Sequence, residues 1–193
     1  MSISKTIPFS IIVLFLCTQC KKNDTQVFPL SAPDNWKQET IQFPLKFAPS
    51  IAYEGTLYVQ FAPGWGKKDS NEYFSYIFLW SLDQDPNLSS ATLESQMESY
   101  FNGLMHMISK SESKDNIKTK AFFEKIDAQS YAGKIITYDG FITKKEVSLN
   151  AIVSVTPCKN LDKHLVTFRF SPQNIKHPIW DKLNNIHVTL DCD

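Results

Sequence analysis

The alternation of apolar and polar positions is clearest between Leu57 and Leu82. Leu57, Val59 and Phe61 share one face of an extended segment and Tyr58 and Gln60 the other, which predicts a half-buried strand. A Pro63-Gly64-Trp65-Gly66 turn and a polar tip follow, and the chain returns as Tyr73 to Leu82. Here Phe74, Tyr76, Phe78, Trp80 and Leu82 fall on one parity, yet Ile77 and Leu79 occupy the other. Apolar residues on both faces predict a strand covered on both sides, near the middle of a sheet.

Similar patterns predict the other elements. Ile41, Phe43, Leu45 and Phe47 alternate with polar residues and Pro44, giving a one-sided strand placed at an edge because Pro44 has no N–H to donate. Asp83 to Ser90, with Pro86 and Asn87, reads as a loop. Leu93, Met97, Tyr100, Phe101, Leu104, Met105 and Ile108 then recur at three- and four-residue spacing, an amphipathic helix capped by Ser89 or Ser90 and expected to cover the Phe74–Leu82 strand. Gly103 within it is a cost of up to about 1 kcal/mol relative to alanine. After a lysine-rich loop from Lys110 to Lys120, four strand-like runs form a meander: Ala121 to Asp127, Tyr131 to Tyr138, Glu146 to Thr156 and Leu165 to Phe170. Ala132-Gly133, Asp139-Gly140 with Lys144-Lys145, and Pro157 to Lys163 are their expected punctuation. A closing helix from His177 to Ile186, with Pro178 near its first turn, turns Trp180, Leu183 and Ile186 to the sheet.

These elements predict an α+β fold: a large antiparallel sheet built from a hairpin, a strand and a meander, with one long amphipathic helix and a short C-terminal helix. The order of elements from Trp36 to Leu190 resembles the PsbP-like fold, an α/β/α sandwich. That resemblance implies a largely non-enzymatic domain that binds other proteins, used by some bacterial lipoproteins, and it assigns no functional residue to this chain.

The start of the chain changes the picture. Lys5 precedes an apolar run from Ile7 to Leu16, too short to span a bilayer and of the length of a signal-peptide core. The run ends Leu16-Cys17-Thr18-Gln19-Cys20-Lys21-Lys22, which resembles the lipobox of bacterial lipoproteins, with Gln19 where a small residue is usual. The resemblance implies cleavage before Cys20, acylation of Cys20 and attachment to a membrane through acyl chains on the periplasmic or outer-membrane side. Ordinary secretion and a retained anchor are the alternatives. The expected organisation is a signal peptide over residues 1–19, a flexible tether over 20–35 and one globular domain over 36–193.

Composition narrows the function. About 174 residues remain after the leader, enough for one domain with a substantial core. Twenty basic and twenty acidic side chains balance, so nothing marks a nucleic-acid binder. Cys158 and Cys192 remain once Cys20 is acylated, and in an exported chain such a pair reads as a disulfide; a thiol or metal site using Cys192 with Asp191 and Asp193 is the bolder reading. The four histidines have no zinc-ligand spacing, the six glycines form no phosphate-binding pattern, and no nucleophile elbow occurs, so no catalytic residue, metal or cofactor is assigned. Asp83 and Asp85 read as turn formers and Met105-His106-Met107 as a helix segment that diverges around the circumference. Trp65, flanked by glycines, reads either as folded onto the sheet edge or as an exposed contact for a partner. The expectation is a lipid-anchored envelope domain that binds a protein, polymer or small ligand. The alternatives are a hydrolase whose site assembles only in three dimensions, or a lipid or small-ligand carrier with an aromatic cavity beside the long helix.

Overall fold

The computed structural model describes residues 28–109 and 118–192. Its seven strands are β1 (Lys37–Gln42), β2 (Gly55–Phe61), β3 (Tyr76–Leu82), β4 (Lys120–Lys125), β5 (Ser130–Tyr138), β6 (Glu146–Cys158) and β7 (Lys163–Ser171). They form one sheet in the order β1-β2-β3-β7-β6-β5-β4, with every neighbouring pair antiparallel. The last strand therefore lies between the hairpin unit and the meander, where β3 pairs with β7. All seven residues of β3 are buried, as two apolar parities require.

The two helices lie on opposite faces, and the parity of β3 shows which face each one covers. Tyr76, Phe78 and Trp80 join the layer under α1 (Ser90–Ile108), whereas Ile77 and Leu79 join the layer under α2 (Ile179–Asn184). Helix α1 begins as expected: the Ser89 hydroxyl accepts from the Thr92 N–H at 3.1 Å. Its backbone runs beside β4, and from there Tyr100 and Phe101 reach inward to Phe78 and Phe170, with ring centroids at 5.4 and 5.8 Å. On the other face Trp180, Leu183 and Ile186 are buried, and Arg169 of β7 donates to the Leu183 and Ile186 carbonyls, both at 3.0 Å, closing the end of α2. Pro178 takes the cap position of this helix, which is shorter than the span read from sequence.

Three expectations need correction. The first strand is Lys37–Gln42 rather than Ile41 to Phe47; it is nonetheless an edge strand. The chain turns at the cis Phe43–Pro44 bond, and Phe43, Leu45, Ala48 and Ile51 drop into the core as turns beneath α1, so their alternation records packing and not a ladder. Ala132-Gly133 is interior to β5; the turn is at Ile126–Gln129, held by Asp127, whose carboxylate accepts from Gln129 N–H and Ser130 hydroxyl at 2.8 and 2.6 Å. Gly133 faces Phe123 across the ladder, and a Cβ there would lie 2.4 Å from its ring, so the glycine makes room for an aromatic. Finally, of the stretch read as tether, residues 28–32 are packed on the domain while 33–35 are exposed. Leu30 is 4 % exposed and bridges to Val188, and Phe28 sits edge-on to Tyr58 at 5.4 Å.

Cys158, at the end of β6, and Cys192 are paired at disulfide distance, which returns the tail to the sheet. Cys20 lies outside the described residues, as does most of the Lys110–Lys120 loop.

Candidate functional site: an apolar cleft beside the long helix

A sheet of seven strands at their usual spacing is about 29 Å wide, whereas one helix with its side chains covers about 10 Å. Where α1 settles therefore decides what stays uncovered, and α1 settles over the β4 end. Glu94, Glu98 and Asn102, one turn apart, accept from the backbone N–H groups of Phe123, Ala121 and Thr119 at 2.9, 3.3 and 2.8 Å. Four helical residues rise about 6 Å and two strand residues about 6.7 Å, so the spacings match and the helix is keyed along the free edge of β4. At the β1–β2 end of the same face, turns 43–51 cover part of the sheet and a cleft of about 350 Å³ remains.

Each wall has a structural reason. The floor is Val59, Phe61 and Tyr76, the α1-facing residues of β2 and β3. One wall is the inner stripe of α1 at Tyr100, Phe101 and Leu104. The far end is aromatic: Trp65 packs against Phe61, Phe141 and Phe74 with centroids at 5.0, 5.2 and 5.5 Å. Lys37 and Glu39 of β1 lie at the rim. Phe74 holds a positive φ of 50°, uncommon for a bulky side chain and costing of order 1 kcal/mol; it persists because its ring is buried against Trp65 and Phe141.

The loop that carries Phe141 is pinned by one buried carboxylate. Asp139 accepts from the backbone N–H groups of Phe141, Ile142 and Thr143 at 2.9, 2.9 and 2.6 Å, and from the hydroxyls of Tyr73 and Thr143, both at 2.7 Å. Burial pushes this carboxyl up, but the Thr143, Ile142 and Tyr73 donors outweigh it and hold it below its ordinary value. Tyr73 is pushed up to about 12, first by burial and then by the Asp139 charge.

The cleft's polar groups are few and suited to binding. Burial pushes the Tyr76 and Tyr100 phenols well up, so both remain neutral hydrogen-bond donors across the physiological range. The Trp65 indole N–H is buried with no partner among the described residues. Such a site can hold an apolar body and offer a donor to a small acceptor group.

Trp65 is folded onto the sheet edge and half-buried at the end of the cleft, where its ring packs against Phe61, Phe74 and Phe141. Of the other candidates, Met105 and Met107 line the helix side of the cleft, and Asp83 and Asp85 lie away from it. Asp83 pairs with Lys163, and Asp85 accepts from Asn87 N–H at 2.8 Å in a local turn. Met105 is buried while Met107 is 60 % exposed, as helical divergence requires. Among the described residues no three histidine, cysteine, aspartate or glutamate side chains group as metal ligands, and no helix is long and apolar enough to cross a membrane. In the sequence Tyr76 and Tyr100 read only as strand and helix residues, and nothing singles out Phe141. The first two carry a signal, being large aromatics with a hydroxyl on core-facing positions; Phe141 carries none, because its ring partners Trp65 and Phe74 come from the distant opening hairpin. Set against known families, curated proteins and solved structures, the chain matches none.

Proposed function

We propose that this chain is an exported, lipid-anchored domain of the cell envelope that holds a small apolar ligand in the cleft between α1 and β1–β2. The observation that carries the reading is the cleft itself: about 350 Å³, walled by aromatic and aliphatic side chains, with few polar groups. This volume is within the range of small-molecule sites, roughly 300–1,000 Å³. Of the functions open from the sequence, a carrier or ligand-binding module is the one an aromatic cavity beside the long helix supports.

The cell-envelope part of the proposal rests on the leader, the lipobox-like Cys20 and the Cys158–Cys192 pair, since disulfides persist in oxidising compartments. Helices on opposite faces of an antiparallel sheet are consistent with a PsbP-like arrangement, which belongs to the same proposal. Acyl chains on Cys20 would hold the domain at a membrane without spanning it.

Native mass spectrometry of the protein taken from its own membranes in mild detergent tests the ligand. One apolar molecule per chain should be released on denaturation, and Leu104→Trp, which fills the cleft from the helix wall, should abolish it. A chain with nothing bound, or cargo that survives Leu104→Trp, contradicts the reading. Peptide mass spectrometry should find Cys20 acylated; a soluble mature chain without the modification overturns the anchoring.

A further inference from the structure

The two edges of the sheet are finished differently. At β4 the outward N–H groups of Ala121 and Phe123 are taken by glutamates of α1, and that of Thr119, just before the strand, by Asn102. At β1 the Phe43 N–H donates to the Gly55 carbonyl at 3.0 Å, and the register continues through Ile41↔Leu57, Glu39↔Val59 and Lys37↔Phe61. Hydrogen-bonded pairs alternate in an antiparallel ladder. Lys37, Glu39 and Ile41 therefore direct their backbone groups to β2, and Gln38, Thr40 and Gln42 direct theirs away from the sheet. Among the described residues nothing takes these outward groups, and all of β1 except Ile41 is exposed. The strand carries no proline and its register has no bulge. An open edge of this kind is a template for pairing unless something blunts it.

The side chains beside this edge say what it fits. Lys37, Glu39 and Ile41 lie on the α1 face and form the rim of the apolar cleft, so a strand added outside β1 would direct alternate side chains toward that cleft. A second copy of the chain fits poorly. Antiparallel registers that pair most of β1 with itself set Glu39 opposite, or diagonal to, Glu39 of the other copy, and the register opposing Lys37 to Glu39 leaves half of the strand unpaired. A foreign strand with an acidic residue beside Lys37, a basic one beside Glu39 and an apolar one beside Ile41 meets no such conflict.

We propose that the β1 edge takes up an extended peptide segment of a partner protein as an eighth strand, with backbone pairing to Gln38, Thr40 and Gln42 and alternate side chains turned to the cleft rim. Main-chain bonds supply the affinity and the rim supplies the selection. This site shares the cleft rim but does not rest on the apolar ligand proposed above: its bonds come from the backbone of β1, and Thr40 lies on the other face.

Selection of a random eight-residue peptide library on the purified protein tests it. Enriched peptides should alternate apolar or charged with variable positions, and a synthetic peptide of the enriched sequence should slow amide exchange at Gln38, Thr40 and Gln42. Thr40→Pro removes the central outward N–H while leaving the β2 ladder intact, and should weaken that peptide at least about tenfold. Thr40→Ala should bind as the parent does, and both variants should still take up dodecanoate in the cleft. No enrichment, protection confined to other amides, or equal binding to folded Thr40→Pro overturns the proposal. Should Thr40→Pro fail to fold, the exchange pattern of the unmodified chain decides. Loss of dodecanoate binding in the parent protein would count against the cleft ligand and leave the edge proposal standing.

Discussion

Asp139 has 0 % exposure and accepts from three backbone amides and two hydroxyls, so its protonation is linked to folding. Its carboxyl is held below the ordinary 3.8 in the folded chain, and the stability it contributes is present above that value and lost as pH falls through the folded value. Asp139→Asn should therefore cost about 2 kcal/mol at pH 7, the scale of a hydrogen bond to a charged group. In urea unfolding the gap between parent and variant should narrow as pH falls below 3.8, because the unfolded parent then takes up a proton that the folded one resists; a gap independent of pH would contradict the assignment. Sequence reading saw Asp139-Gly140 as a turn, which it is, and could not see Tyr73, 66 positions away, completing the cage. Trp65 was legible as a residue to watch because two glycines frame it. Its ring partners were not, since Phe141 comes from another loop altogether.

At the scale of elements, periodicity found α1, β2, β3 and the meander because one-sided burial imposes a period on each. It failed where apolar spacing had another cause. Phe43, Leu45 and Phe47 repeat like a strand but are turns pressed under α1, and Gly133 looks like a turn residue but is the space into which Phe123 fits. Gly103 is the third case. Counted as a helix cost by propensity, it is where the Phe47 carbonyl meets α1, and a Cβ there would lie 1.7 Å from that oxygen. Glycine to alanine in an exposed helix gains about 1 kcal/mol. Gly103→Ala should instead destabilise by about 1–3 kcal/mol through overpacking against a backbone that cannot yield. Thermal unfolding monitored by circular dichroism checks the sign, and a raised melting temperature would show that the contact is not made.

For the whole molecule, the strand order is what one sequence does not reveal. Alternation predicts seven strand-like runs but not that β7 slots beside β3 and so joins the hairpin unit to the meander. The closure of the chain was more legible, because a leftover cysteine pair in a chain whose sequence predicts export points to a bridge. Cys158–Cys192 spans 34 positions and ties down a tail that itself holds the N-terminal Leu30 through Val188. The chain-entropy model assigns such a loop about 3.8 kcal/mol. The double variant Cys158→Ser with Cys192→Ser should lose stability of that order in chemical denaturation, with amide exchange rising first at residues 28–31 and 186–190. Unchanged exchange there would mean that the tail is held by packing alone.

Occupation of the cleft by an apolar ligand is reported directly by the four tryptophans. Trp65 lines the cleft with an unpartnered indole N–H, whereas Trp36 and Trp180 lie in the layer under α2 and Trp80 is fully buried elsewhere in the core. In a proton–nitrogen correlation spectrum titrated with dodecanoate, the Trp65 indole signal should move in a saturable manner while those of Trp36 and Trp180 stay in place, and Leu104→Trp should remove the response. A Trp65 signal that stays fixed to the solubility limit, or indole signals that all shift together, would contradict it.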